Sequence, residues 1–408
     1  NIRTSDGVAG LHVNKAVALA YTSRIMLFEG TWQKYNEKNT AKAATYLQAA
    51  KDAADQLMSM GAYSLTPNFK DLTTSVSLAG NPEVIVYREY EEGILMHSLM
   101  SFQNTEAEGS SPSRSLVESY LSANGLPIHQ AENTMYKGDK WFFDEFADRD
   151  PRLYDNVDPA GLRLEGTVAV YAASGYFGHL FVNPDLKNVP GGMSSTNITD
   201  APVMKLNEVM MNYIEAAAEL ADMGQYNLTQ GDFDKTINAL RNRPSTSMPA
   251  VTLAGSNLAV NGVTINDPDR DKGQMKSGDY EVSPILWEVR RERRTELPYQ
   301  GIRFNDLRRW GKLHYADMKA NPKLNLGAWL DKDAYIAWYN EQNGTTLTVE
   351  NLKAIHLDRE GNAGYIVPAI DASLLRTCED KHYLYPIPSQ EIALYQSNGY
   401  TLSQNPGW

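Results

Sequence analysis

Apolar and small residues crowd positions 14–30, and Ala16, Leu19, Ala20 and Leu27 fall on neighbouring turns of a helix. Across 40–60, Ala43, Leu47, Ala50, Ala54 and Leu57 form a narrow stripe, with Gly61 as the natural stop. Facing alanine stripes let helices approach closely, so 14–61 predicts a helical hairpin of tetratricopeptide size, about 34 residues per unit. A second hairpin is predicted over 202–244. Leu206, Val209, Met210, Tyr213, Ala217 and Leu220 share one face of a helix over 202–224, and 232–244 returns with Asp232 as N-cap and Pro244 as terminator. Neither hairpin buries both faces alone, which predicts that they stack on each other or on chain preceding Asn1.

The pattern over 284–311 differs, because seven arginines alternate with carboxylates and large apolar side chains. Ile285, Leu286, Val289 and Leu297 recur at helical spacing, Pro298 ends the run, and Gly301 allows a turn into a second short face of Phe304, Leu307 and Trp310. A half-buried guanidinium without an anion is costly, so these arginines predict internal pairing with carboxylates, Glu208, Glu215 and Glu219 of the 202–224 helix among them. A phosphate or nucleic-acid surface is the alternative. Glu288, Glu292, Glu296 and Asp306 neutralise the cluster from within, and a net charge of -12 repels a polyanion, so no nucleic-acid partner is expected.

Between the hairpins, 80–201 is too long for an ordinary loop and too rich in glycine, proline and aromatics for a helix pair. Alternating β-branched residues at 83–90 predict a short strand. Tyr171, Tyr176, Phe177, His179 and Phe181 lie among glycines without helical period, where rings are often exposed enough to bind. A second polar insertion, 245–283, contains Asp267, Asp269 and Asp271. Their alternation admits a calcium ion, but Lys272 and Gly278 stand where an EF-hand requires glycine and glutamate, so a solvated turn is expected and no metal is assigned. After 313 come amphipathic pieces over 328–339 and 347–355, then a short helix that Ser389 caps and Asn398 with Gly399 breaks.

Composition narrows the class. The 42% hydrophobic and 22% charged residues suit a globular protein with a sizeable core, and 23 Tyr, 10 Phe and 7 Trp supply many flat amphipathic faces. No apolar run is long enough to span a membrane as a helix. Cys378 stands alone and the seven histidines are scattered, with no HExxH, GxSxG or Walker loop, so neither an enzyme nor a cofactor is expected.

The 284–311 stretch resembles the ER..EL..EG.R..DL.RW signature of the SusD/RagB family, with Glu292, Arg293, Glu296, Leu297, Gly301, Arg303, Asp306, Leu307, Arg309 and Trp310 on the matching positions. Gln300 replaces the usual acidic residue and puts one salt bridge in question. Glu208, Asn212, Glu215, Ala216 and Glu219 match the family's AE..LN.AEA..E helix, apart from Ile214 in place of alanine, and Asn238, Arg241 and Arg243 match N.VR.R. Residues 124–128 resemble NGLPI, 148–153 resemble NRDPRL, and 385–408 resemble the YPIP to QNPG terminus.

The resemblance implies one mainly α domain over 1–408, with tetratricopeptide-type hairpins packed against an irregular half with minor β structure. It implies a nutrient-binding surface protein of the outer membrane that serves a SusC-like TonB-dependent transporter. The lipid anchor is expected before Asn1, together with an N-terminal part that this chain lacks. Within the family the arginine signature belongs to the fold, and ligand contacts come partly from the irregular half. Tyr136, Trp141, Tyr171, Tyr176 and Phe177 are therefore the candidate glycan-binding residues. RagB-like peptide uptake and a helical-repeat glycosidase are the rival functions.

Overall fold

The computed structural model describes residues 10–105, 110–276 and 278–408. Helices α1 (Lys15–Tyr35) and α2 (Thr40–Ser59) form an antiparallel hairpin, each begun by an asparagine side chain. Asn14 Oδ1 accepts from the Val17 N–H at 3.0 Å, and Asn39 Oδ1 from the Lys42 N–H at 3.1 Å. The α2 stripe is buried as its spacing requires. α1 does not end at Gly30 but runs one and a half turns further. There a Cβ on Gly30 would lie 2.7 Å from Leu47 Cγ, so this glycine is a point of helix contact and not a stop.

Strands β1 (Val84–Arg88) and β2 (Ala201–Lys205) pair antiparallel, and this pair is where the long excursion leaves the helical half and returns to it. β2 takes residues that helical spacing assigned to the next helix, so α3 (Leu206–Asp222) starts four residues later than expected. α3 is the central element. It packs on α1, α2 and α4 (Pro284–Glu296) and is buried from Leu206 through Leu220. The return segment is split into two short helices, Gln230–Asp234 and Ile237–Arg241. Thr229 is the N-cap of the first, and Asp232 closes a capping box at the third position instead of capping.

The 245–283 insertion folds as a meander of β3 (Thr252–Ala254), β4 (Asn257–Val260) and β5 (Val263–Thr264). Asn261 and Gly262 join β4 to β5 with φ of 50° and 80°, the paired positive values that a tight hairpin turn requires. Leu258, Val260 and Ile265 add to the core shared by α1, α3 and α4. The three aspartates beyond the meander do not converge. Asp267 accepts from Trp287 Nε1 at 2.6 Å and pairs with Arg291, Asp269 pairs with His129 and Lys272, and Asp271 pairs with Lys312 at 3.2 Å. Each carboxylate already has a cation of its own, and the side chains of Asp267 and Asp271 are almost enclosed, so the solvated turn expected here is an ion-paired strap.

α4, α5 (Arg303–Arg309) and α3 meet in a charged seam. Arg309 and Trp310 Nε1 both donate to Glu215, the indole at 2.7 Å, while Arg290 pairs with Glu219 at 2.9 Å and Arg293 with Asp306 at 2.9 Å. In return the α4 carboxylates collect arginines from elsewhere. Glu292 pairs with Arg152 and Arg241, and Glu296 with Arg152 and Arg243. Burial opposes ionisation of Glu215 and Glu292. Even so, Arg309 and Arg293 beside the first and Arg152 and Arg241 beside the second hold both at about 2. Such pairs specify how helices meet more than they stabilise, but removing one partner leaves a buried charge at a cost of about 3–5 kcal/mol. One expected partner differs: Glu208 pairs with Arg24 of α1 at 2.6 Å and not with the 284–311 arginines. Gln300, at the departure from the family pattern, accepts a hydrogen bond from the buried Lys205 ammonium.

Candidate functional site: an arc of aromatic rings

The irregular half has its own core, in which Val117, Tyr120, Phe142, Phe146, Leu153 and Tyr176 pack against Tyr335 and Ile366 from the C-terminal region. The DRDPRL motif builds its frame. Arg149 is buried and donates to the carbonyls of Val117, Tyr120, Leu121 and Glu145, so it staples a strandless stretch by backbone bonds alone. Arg152 joins Asp150 at 2.7 Å and reaches Glu292 and Glu296 of α4.

Above this core lies a shallow pocket lined by Lys140, Trp141, Phe143, Gly161, Trp329 and Trp338, among others. The short helix Phe142–Phe146 explains the first rings. Phe142 and Phe146, four residues apart, stack at 4.2 Å in the core, which turns Phe143 outward, and Trp141 precedes the helix in extended backbone. Trp338 comes from α6 (Lys332–Asn343), where Asp331 is the N-cap and Tyr335, one turn earlier, is buried. Ring centroids are 5.9 Å apart for Trp141–Phe143 and Trp141–Trp338 and 5.3 Å for Phe143–Trp338, with planes tilted by 58°, 82° and 58°. Gly161 forms the floor at φ 136°, a conformation closed to other residues, and a Cβ there would lie 3.6 Å from Trp338.

The arc continues on strands β6 (Trp329–Asp331) and β7 (Ala363–Tyr365), where Trp329 and Tyr365 are register partners with rings 5.0 Å apart. Lys140 Nζ sits 3.6 Å from the Trp329 ring and donates to the Tyr365 hydroxyl at 2.8 Å, and that hydroxyl donates to Asp139. Burial pulls Asp139 upward, but the Tyr365 bond, Lys140 and Arg114 outweigh it and hold the carboxylate below its usual range. The result is a curved row of half-exposed rings bordered by a fixed carboxylate, an ammonium and a phenol.

Of the candidates chosen from sequence, the structure brings only Trp141 into this arc. Tyr176 and Phe177 are 0% and 1% exposed and offer no face to a ligand. Tyr176 donates to both Glu145 oxygens at 2.8 Å inside the second core, and the Arg163 guanidinium covers the Phe177 ring at 4.4 Å. Glycine in their neighbourhood serves close packing: a Cβ on Gly175 would meet Ile366 at 2.8 Å. Tyr136 is half-buried against His129 with its hydroxyl enclosed, and Tyr171 is half-buried and not among the residues that line the Trp141 pocket. Phe143, Trp329, Trp338 and Tyr365 were missed. The signal for one of them, Trp338, is the concentration of Tyr335, Trp338 and Tyr339 on one helix, more rings than its buried face uses.

The SusD family profile matches residues 169–408, more than half of the chain, so the chain belongs to the SusD family. No curated protein matches it. Among solved structures, a SusD-like carbohydrate-binding protein from Bacteroides fragilis aligns with a TM-score of 0.64 at 22% identity, over 96% of this chain and 66% of its own length. A second SusD-like protein from the same species gives 0.59 at 18% identity, over 100% and 68%. A structure described as containing a xylogluco-oligosaccharide gives 0.52 at 14% identity, over 96% and 67%. The chain thus spans about two thirds of the length of the structures it matches, and the likeness establishes a SusD-like, mainly α fold.

Proposed function

We propose that this protein captures glycans at the cell surface and delivers them to a SusC-like TonB-dependent transporter in the outer membrane, held there by a lipid outside this chain. The observation that carries the proposal is the arc of Trp141, Phe143, Trp338 and Trp329. Sugar rings present apolar C–H faces that stack on aromatic rings, while their hydroxyls need polar groups at the margin. Tilted planes suit a curved oligosaccharide better than a single flat ring, and Asp139, Lys140 and Tyr365 supply the margin. Family membership and the likeness to the carbohydrate-binding protein from Bacteroides fragilis support the same reading. No covalent step is assigned: binding and release are the whole mechanism.

The test is binding of a glycan panel to the protein and to Trp141→Ala and Trp338→Ala. Each variant is expected to lose about fivefold or more in affinity, as stacking of one ring contributes about 1 kcal/mol or more, with thermal stability little changed. Unchanged affinity in both variants removes the arc as the site. Binding to peptides and to no glycan replaces the cargo.

A further inference from the structure

Of the seven arginines over 284–311, Arg294, Arg303 and Arg308 stand outside the ion pairing among the described residues, and Arg308 is satisfied by the Tyr383 carbonyl and Asn305 Oδ1. Arg294 on α4 donates to Ser115 Oγ at 2.8 Å, and Arg303 on α5 lies 5.5 Å from the Trp310 ring centroid. Among the described residues neither has a carboxylate within ion-pair distance. The acids whose charge reaches them are already engaged: Asp306 by Arg293 and Arg309, and Glu118 by Arg114. Both half-buried guanidiniums line one cavity of about 110 Å³, together with Ser115, Ser119, Trp287 and Trp310. The other cations on its wall are neutralised, Arg290 by Glu219, Arg291 by Asp267 and Glu288, and Lys312 by Asp271 and Asp279. Burial and the neighbouring Arg303 push Arg294 well below the ordinary guanidinium value, and burial lowers Arg303 to about 10. Two guanidiniums without an ion pair of their own thus line one space, and the acids nearest them, Glu118 and Asp306, are shared with other arginines.

We infer that this cavity receives the carboxylate of an acidic sugar such as a uronate, held between Arg294 and Arg303. Guanidiniums recognise carboxylates through paired N–H donors, and an anion here relieves the repulsion that the fold leaves in place. The cavity is smaller than one that holds a benzene ring, so it accepts an acidic group and excludes a chain of sugars. Its outer neighbour, a pocket of about 600 Å³, shares Glu118, Asp269 and Leu324 with it and has room for the ring that carries the acid. The choice of a sugar to carry the acid rests on the proposed glycan binding, but the site shares no lining residue with the aromatic arc, so loss of binding at the arc and loss of binding here are separable.

Trp287 and Trp310 line the cavity, so indole fluorescence reports its filling. The 408-residue chain is titrated at constant ionic strength with sodium glucuronate, with glucose and with poly-glutamate. A saturable change with glucuronate and none with glucose is expected, weakened about tenfold or more in Arg294→Met and in Arg303→Met. Neither substitution breaks an ion pair, so both variants are expected to melt close to the parent. Should one fail to fold, the contrast between glucuronate and glucose on the parent still decides. An equal response to both sugars, no response to glucuronate, or unchanged affinity in both variants overturns the inference. A response to poly-glutamate alone overturns it in favour of an acidic polypeptide.

Discussion

Glu145 illustrates how one carboxyl withdraws a ring from the surface. It is fully enclosed, accepts the Tyr176 hydroxyl and has no ion-pair partner among the described residues, so burial raises it to about 7. The folded protein therefore keeps a proton that the unfolded chain releases above about 4.5, and stability falls as pH rises between those values. Glu145→Gln keeps an acceptor for Tyr176 and removes the penalty. Its melting temperature is expected to equal the parent's near pH 4 and to exceed it at pH 8, by an amount equivalent to about 2–3 kcal/mol. A constant difference at all pH values dismisses the ionisation account. The same residue explains why Tyr176 could not be judged from sequence: exposure of a ring in a glycine-rich stretch depends on partners distant along the chain, here Glu145 and Ile366. Trp141 does line the aromatic pocket, at the head of the short helix Phe142–Phe146, which the sequence reading did not predict.

Among the elements, the first hairpin was legible to within a few residues because alanine spacing and the asparagine caps are local signals. The first helix runs past the 14–30 segment to Tyr35, and a glycine that ends a helix and one that lets a second helix approach look alike in a single sequence. Gly30→Ala separates the two roles. Helix propensity favours alanine by about 1 kcal/mol, but the new methyl meets Leu47 Cγ at 2.7 Å and its backbone nitrogen at 2.9 Å. Overpacking costs about 1–3 kcal/mol and should prevail. Urea denaturation is expected to show a lower midpoint, and a higher one returns Gly30 to the role of a simple weak point. β2 was hidden because pairing with β1, more than a hundred residues earlier, overrides helical spacing at 201–205. The meander was missed for a different reason, as its Asn261–Gly262 turn is a local hairpin signal that the surrounding polarity obscured.

For the whole molecule, the arginine signature was the most legible feature, because charges of both signs in a sequence that must bury its apolar face have to satisfy one another. Its consequence is acid sensitivity. Glu215 and Glu292, held at about 2, contribute stability that is complete above the unfolded carboxylate value near 4.5 and is lost as pH falls through the folded one. Unfolding free energy measured in urea is expected to decline steadily from pH 4.5 to pH 2. Glu292→Gln is expected to flatten part of that slope while costing about 3–5 kcal/mol at neutral pH, because Arg152 and Arg241 lose their shared anion. A slope unaffected by the substitution removes Glu292 from the account.

Arg152 has one more implication. Its guanidinium bolts the ring-bearing half to α4 through two glutamates at 2.7 and 2.9 Å, all three side chains being buried. The halves cannot swing apart without stranding three charges in the interior. Trp141 and Trp338 are therefore mounted on a bracket that buried charge clamps to the helical half.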